Sequence, residues 1–138
     1  MATYKKFNCF AENVYEGKHN FATAVIKMAF TNTAPNTSNN LLSDITEITP
    51  SGGYNAGGIT LPVTFSSQTS GTYKLIVSDV TFTATGTCGP FRYIVIYDSS
   101  SDQDRLIGWY DFGSSLTLDS GNSLFLDFGG DNRLFSHS

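Results

Sequence analysis

The chain has 138 residues, of which 40% are hydrophobic and 14% are charged, with a formal net charge of −4 at pH 7. This composition excludes a disordered chain, and the length is that of one domain able to bury its own core. The acidic balance argues against nucleic acid or an anionic membrane as the main partner. No stretch approaches the roughly 18 apolar residues of a membrane span or forms a signal peptide, so we expect a soluble protein made in the cytoplasm.

The first part of the chain predicts strands and polar loops with little helix. Residues 23–31 are rich in β-branched and aromatic side chains, which predicts a strand, and the polar residues 31–37 predict the loop after it. Residues 38–44 follow a possible Ser or Thr cap and could form one helical turn. Residues 12–16 are the other helix candidate.

A glycine-rich loop is predicted at residues 50–58, with four glycines in nine positions. We predict turns in which Gly57 or Gly58 has a positive φ. A phosphate-binding loop would also need a Lys followed by Ser or Thr and a helix, and these are missing. The loop is therefore a candidate contact to a partner protein, and its proposed contact residues are Gly53, Tyr54, Asn55, Gly57 and Gly58. Residues 59–65 then predict an extended segment.

Two segments depart from simple alternation. Apolar positions alternate along residues 73–84 with one slip at residues 78–79, which predicts a β-bulge or a tight bend. Residues 91–97 are apolar on both faces, so the second face needs a cover. Either a neighbouring subunit or a packed loop of the same chain could supply it. If a subunit does, Ile94 and Ile96 form a candidate self-association face.

The end of the chain predicts a strand at residues 106–112 and a hairpin made of residues 115–118 and 124–128. Most aromatic residues fall on strand positions, where packing in the core is the expected use. Trp109 and Tyr110 could instead form a sugar-binding platform. In total about eight short strands and at most two helical turns predict a single all-β domain, either a β-sandwich, a jelly roll or a small barrel.

The N-terminal residues 1–20 allow two interpretations. They could be an ordinary first strand, or an arm laid on a neighbouring molecule. In the second case Tyr4, Phe7 and Phe10 would be its apolar contacts.

Catalytic chemistry finds little support in the sequence. His19 lies in a turn-like stretch, where an exposed or capping histidine is expected, and the penultimate His137 is expected to fray. There is no G-x-S-x-G motif to hold a nucleophilic serine. We therefore expect no enzyme and assign no catalytic, cofactor-binding or metal-binding residue.

Three weaker signals have ordinary explanations. Asp98, Asp102 and Asp104 share one loop and could bind Ca²⁺, but the loop lacks the glycine and distal glutamate of the helical calcium loop. We predict a solvated loop with Arg105 neutralising part of its charge. The two cysteines, Cys9 and Cys88, lie far apart, and free buried thiols are expected rather than a disulfide. The glycosylation pattern at residues 36–38 is interpreted as coincidental.

Five short motifs carry a resemblance to a known class of proteins. Their sequences are TNTAP at residues 31–35, DITEI at 44–48, GYNAGG at 53–58, GPFRY at 89–93 and LIGWYDFG at 106–113. In this order they resemble small virion proteins of tailed bacteriophages, of the capsid decoration or cement type. The resemblance runs from about residue 21 to residue 128.

This resemblance implies a jelly-roll-like antiparallel β-sandwich that oligomerises, as a dimer or trimer, on the outer surface of a phage head. The implied partners are the major capsid protein, whose contacts it would clamp, and copies of the chain itself. The protein would be made in the host cytoplasm and located in the virion. A tail or fibre component and a carbohydrate-binding module are the alternatives. The family offers no catalytic or cofactor-binding residues.

Overall fold

The computed structural model describes residues 3–126 and 133–137. The described chain is mostly β-structure, with one α-helix and one 3-10 turn at Leu42–Asp44, which confirms the prediction of an all-β fold. The helix is α1, Cys9–Tyr15. The strands are β1 Thr3–Lys6, β2 Ile26–Thr31, β3 Ile59–Leu61, β4 Val63–Thr69, β5 Thr72–Val77, β6 Val80–Thr83, β7 Cys88–Asp98, β8 Arg105–Leu118, β9 Ser123–Leu126 and β10 Arg133–His137.

These strands form three antiparallel sheets. The largest has the order β1-β8-β7-β2-β3, and the other two are β10-β5-β4 and β6-β9. In the large sheet β7 is central, and both of its edges are hydrogen-bonded to neighbouring strands, β2 and β8. Both faces of this central strand are also buried, which explains why its residues are apolar on both sides.

The main core lies between the large sheet and the two smaller ones. It combines residues from β2, β7 and β8 with residues from β5, β6 and β9. Its fully buried side chains include Ile26, Met28, Phe30, Leu61, Leu75, Phe91, Ile94, Ile96 and Ile107. Alternation along β2 places Ile26, Met28 and Phe30 on one face of the large sheet, and alternation along β7 places Ile94 and Ile96 there.

The opposite face of the large sheet carries a second apolar cluster. Tyr93, Val95 and Tyr97 of β7 pack there with Phe7 and Trp109, and the partly buried Leu42 and Ile45 also contact this cluster. Segments of the same chain therefore cover both faces of β7.

This arrangement corrects the prediction for Ile94 and Ile96. Both lie in the main core, with exposed fractions of 1% and 0%. They cannot form a self-association face in the folded chain, because intramolecular neighbours already bury them.

The N-terminal residues are part of the domain, and the prediction of an arm is wrong for the described segment. Strand β1 pairs with β8, with Tyr4 opposite Tyr110. Phe7 is 0% exposed and stacks in a tilted geometry on Trp109, with ring centroids 4.6 Å apart. Phe10 is also buried. The alternative prediction, that this segment forms an ordinary first strand, is confirmed for Thr3–Lys6.

The slip at residues 78–79 marks a change of sheet. Strand β5 ends at Val77 in the three-stranded sheet, and β6 begins at Val80 in the two-stranded sheet. The predicted hairpin of residues 115–118 and 124–128 is wrong, since β9 pairs with β6 and the end of β8 pairs with β7. Residues 127 and 128 of that prediction lie outside the described residues.

Two smaller expectations can also be compared. The predicted helical turn near residues 38–44 is present as the 3-10 turn, and the helix expected at residues 12–16 begins earlier, at Cys9. The backbone of His137, on β10, pairs with that of Tyr73 on β5. This pairing is contrary to the prediction that His137 frays. None of the helices in the described residues is long and apolar enough to cross a membrane.

Candidate functional site

The loop between β2 and β3 is organised around one carboxylate, that of Glu47. The backbone of Glu47 forms a bridge with Thr31 at the end of β2. Its Oε2 accepts hydrogen bonds from the backbone N–H of Gly57, at 2.8 Å, and from the hydroxyl of Tyr54. A single side chain therefore ties the glycine-rich loop to the segment that precedes it.

Tyr54 lies in the core, which corrects its predicted role as a partner contact. The residue is 1% exposed, and its ring stacks on Phe30 with centroids 4.8 Å apart. Its hydroxyl also accepts a hydrogen bond from the backbone N–H of Phe30, at 3.0 Å. Burial, reinforced by the bond to Glu47, raises the pKa of Tyr54 well above its usual range, so the hydroxyl remains a donor.

The two glycines that follow have the positive φ angles predicted for them, +90° at Gly57 and +88° at Gly58. At Gly58 the constraint is also steric, because a Cβ there would lie 1.8 Å from the carbonyl oxygen of Met28. The carbonyl of Gly57 accepts a hydrogen bond from the hydroxyl of Tyr97 on β7. Burial raises the pKa of that tyrosine to about 12. The loop is therefore fixed against the sheet.

Beside this loop lies a shallow open groove of about 280 Å³. Its lining is dominated by polar side chains, with one carboxylate and no aromatic ring. The lining residues are Asn32, Thr33, Thr46, Glu47, Ile48, Thr49, Ser51, Gly89 and Pro90. We call it the Glu47 groove. The groove is open and is lined by hydroxyl-bearing residues and a single carboxylate. Such a surface is better suited to contact a polar protein surface than to enclose a small molecule.

The Glu47 groove gathers motifs that are far apart in the sequence. It is lined by residues of three of the five motifs, at residues 31–35, 44–48 and 89–93. The motif at residues 53–58 is bonded to the groove through Glu47. Arg92, in the motif at residues 89–93, forms a bidentate ion pair with Asp111, in the motif at residues 106–113, at 2.8 and 3.2 Å.

Sequence reasoning did not select Glu47, although a signal was available. Between Asp44 and Lys74 it is the only charged residue. Of the predicted contact residues, Tyr54 and Gly57 bond to Glu47. None of the five lines the groove: Gly53, Tyr54, Asn55, Gly57 and Gly58 are all absent from its walls.

His19 is buried, and the prediction that it is exposed or capping is wrong. Its Nδ1 lies 2.9 Å from Oδ2 of Asp98, and both side chains are almost completely shielded from solvent. The imidazole stacks on Phe21, with ring centroids 5.1 Å apart. Among the residues that the structure describes, none is a hydrogen-bond partner of its Nε2. Because both side chains are buried and joined to each other, this pair has the geometry of a structural anchor.

The loop with three aspartates is only partly solvated. Asp98 is 1% exposed and its Oδ1 accepts hydrogen bonds from the backbone and the hydroxyl of Ser100. Asp102 pairs with Arg105 at 2.7 Å, as predicted for that arginine. Among residues 3–126 and 133–137, no group of three His, Cys, Asp or Glu side chains could hold a metal ion.

The remaining candidates are found in the core or at its margin. Cys9 and Cys88 are both free, and Cys88 is buried. Trp109 is 5% exposed and therefore offers no open platform for a sugar. Tyr110 packs against Tyr4, with ring centroids 4.9 Å apart.

Comparisons with known proteins give no match. No protein-family model matches the chain. Neither the curated proteins nor the solved structures contain one that is detectably similar.

Proposed function

We propose that the chain is a structural virion protein of the capsid cement or decoration type, which binds the outer surface of a phage head and stabilises contacts between major capsid proteins. The proposal starts from the resemblance carried by the five motifs. The jelly-roll-like arrangement of the sandwich, which the resemblance implies, is part of the same proposal.

The observation that carries it is the convergence of those motifs on the Glu47 groove. Residues of three motifs line the groove, and Glu47 bonds the motif at residues 53–58 to it. The motif at residues 106–113 is joined by Asp111 to Arg92, which belongs to a motif with groove-lining residues but does not itself line the groove. The motifs also supply buried core residues such as Tyr54, Phe91 and Trp109, but their polar residues gather at the groove. Their meeting at an open, polar surface favours recognition of another protein.

A second observation concerns the distribution of charge. The described strands of the two smaller sheets contain two charged residues, Lys74 on β5 and Arg133 on β10. Phe65 on β4 and Phe125 on β9 are exposed at 39% and 59%. The centres of protein interfaces are depleted of charge and enriched in aromatic residues. This layer is suited to packing against copies of the chain, in a dimer or trimer, without mutual repulsion.

The experiment is to purify heads from a phage that encodes the chain and from a matched deletion strain. We expect the chain on wild-type heads in a copy number close to that of the major capsid protein. We also expect purified protein to bind the deletion heads. Absence from heads and failure to bind them would overturn the proposal. Labelled protein found only at one end of the particle would indicate a tail or fibre component, and specific binding on glycan arrays a carbohydrate-binding module.

A further inference from the structure

We propose that the Glu47 groove receives a positively charged side chain, a lysine or an arginine, from the surface of the major capsid protein. This inference rests on the proposed function and identifies the chemistry of the contact.

The first argument is the state of the Glu47 carboxylate. Its Oε2 is occupied by Gly57 and Tyr54, whereas its Oε1 has no hydrogen-bond donor in the described part of the chain. The ion pairs found there involve only Asp98, Asp102 and Asp111, so no cation of the described residues lies within ion-pair distance of Glu47. The nearby ammonium is that of Lys27, which lies 4.0 Å from the position that a Cβ would take at Gly57. Because the side chain is already held in place, little conformational entropy is lost when a cation binds it.

The second argument is the surrounding chemistry. Thr33, Thr46 and Thr49 line the same groove, and threonine hydroxyl oxygens can accept hydrogen bonds from ammonium and guanidinium groups. Asn32 is positioned by a 2.7 Å bond from the hydroxyl of Ser115 to its Oδ1. A cationic side chain entering the groove would therefore meet one charge and several neutral acceptors.

Other occupants fit less well. A single carboxylate does not provide the ligand set of Ca²⁺ or Mg²⁺. No aromatic side chain lines the groove, so a sugar ring has no surface to stack on. An anionic group would be repelled by Glu47 and by the net charge of −4.

The first test is Glu47→Gln, assayed by binding to deletion heads across a range of salt concentrations. Glutamine keeps an acceptor oxygen for Tyr54 and Gly57 but removes the charge. We expect binding about ten-fold weaker at low salt, with a smaller dependence on salt than in the wild type. Glu16→Gln is the matched control, because it makes the same change at an exposed residue close to Arg105, which pairs with Asp98 at the end of β7 opposite to Gly89. We expect it to bind normally.

A second series guards against an effect of Glu47→Gln on the loop itself. Thr49 is an exposed residue of the groove lining. We expect Thr49→Lys to weaken head binding, Thr49→Glu to strengthen it, and Thr49→Gln, of similar size, to lie between them. All variants are first compared with the wild type by thermal unfolding.

The outcomes separate the two proposals. If the wild type binds heads but neither Glu47→Gln nor the Thr49 charge series changes binding, the cation contact is overturned and the decoration function stands. If Thr49→Lys and Thr49→Glu weaken binding equally, the groove is a contact governed by shape, and the cation is again excluded. If the wild type does not bind deletion heads, the proposed function and this inference fail together.

Discussion

The imidazole Nδ1 of His19 lies 2.9 Å from Oδ2 of Asp98, and neither side chain is open to solvent. This bond joins the loop after α1 to the end of β7. Close by, Oδ1 of Asn13 in α1 accepts a hydrogen bond from Arg105, the residue opposite Asp98 in the β7–β8 pairing. The two bonds together hold the N-terminal helix and its loop against the end of the large sheet.

We therefore expect Asp98→Asn to destabilise the protein by about 3 kcal/mol at pH 7, because it removes the charge from a buried hydrogen-bonded pair. The measurement is chemical denaturation followed by circular dichroism. Asp102→Asn is the control, since Asp102 is 59% exposed in its pair with Arg105. A much smaller loss is expected there, because solvent screens that pair. Equal losses for the two variants would contradict an anchoring role for Asp98.

The same variant has a defined dependence on pH. Burial raises the pKa of Asp98, but hydrogen bonds from His19 and Ser100 lower it further, so the net pKa is below the usual 3.8. A carboxylate with a depressed pKa stabilises the fold fully above its unfolded pKa, and this contribution is lost as the pH falls through the folded pKa. The difference in stability between wild type and Asp98→Asn should therefore shrink below about pH 4. A constant difference down to pH 2 would exclude this linkage.

His19 also shows why part of the molecule could not be predicted from the sequence. Its neighbours, Gly17, Lys18 and Asn20, favour a turn, and an exposed histidine is the usual outcome there. The partner that buries it, Asp98, is 79 residues away. Local patterns predicted the strand that follows His19 and the strands on either side of the Asp98 loop, but they contain no information on which loops meet.

Tyr54 gives a prediction for the loop that builds the Glu47 groove. In Tyr54→Phe the buried N–H of Phe30 and the carboxylate of Glu47 both lose their bond to the hydroxyl. We expect a loss of about 2 kcal/mol in the free energy of unfolding, because a buried donor is left unsatisfied. Tyr15→Phe, at a side chain that is 71% exposed, should cost no more than about 0.5 kcal/mol. Indistinguishable urea midpoints for the two variants would argue against this role of the hydroxyl.

Hydrophobic alternation predicted the conformation of the central strand β7 but not the segments that bury it. Alternation predicted correctly that residues 91–97 are extended and need a cover on both faces. It could not show that Phe7, Leu42 and Ile45 cover one face, and that the main core around Phe30 covers the other. An apolar face looks the same in sequence whether a subunit or the same chain covers it.

Substitutions in β7 should accordingly affect folding and not association. We expect Ile96→Val to cost about 1 kcal/mol and Ile96→Thr at least about 2 kcal/mol, because the site is fully buried. Val25→Thr is a β-branched control at a 43% exposed position, with an expected change within about 0.5 kcal/mol. Sedimentation of the folded Ile96→Val protein should give the mass of the wild type. A lower oligomeric mass at unchanged stability would restore a self-association face at this strand.

The last prediction separates two reasons for glycine. Gly17 and Gly58 both have a positive φ, +76° and +88°, but a Cβ at Gly17 would meet nothing within 4 Å, whereas one at Gly58 would overlap the carbonyl of Met28. Gly17→Ala should therefore show only the backbone cost, about 1 kcal/mol. Gly58→Ala adds a clash with the backbone of β2 that no rotamer can relieve, so we expect a loss of more than about 3 kcal/mol or failure to fold. Thermal unfolding of the two alanine variants measures the difference. Similar melting temperatures would mean that β2 and the loop can separate at Gly58 at little cost, and that the Glu47 groove is less rigid than its hydrogen bonds imply.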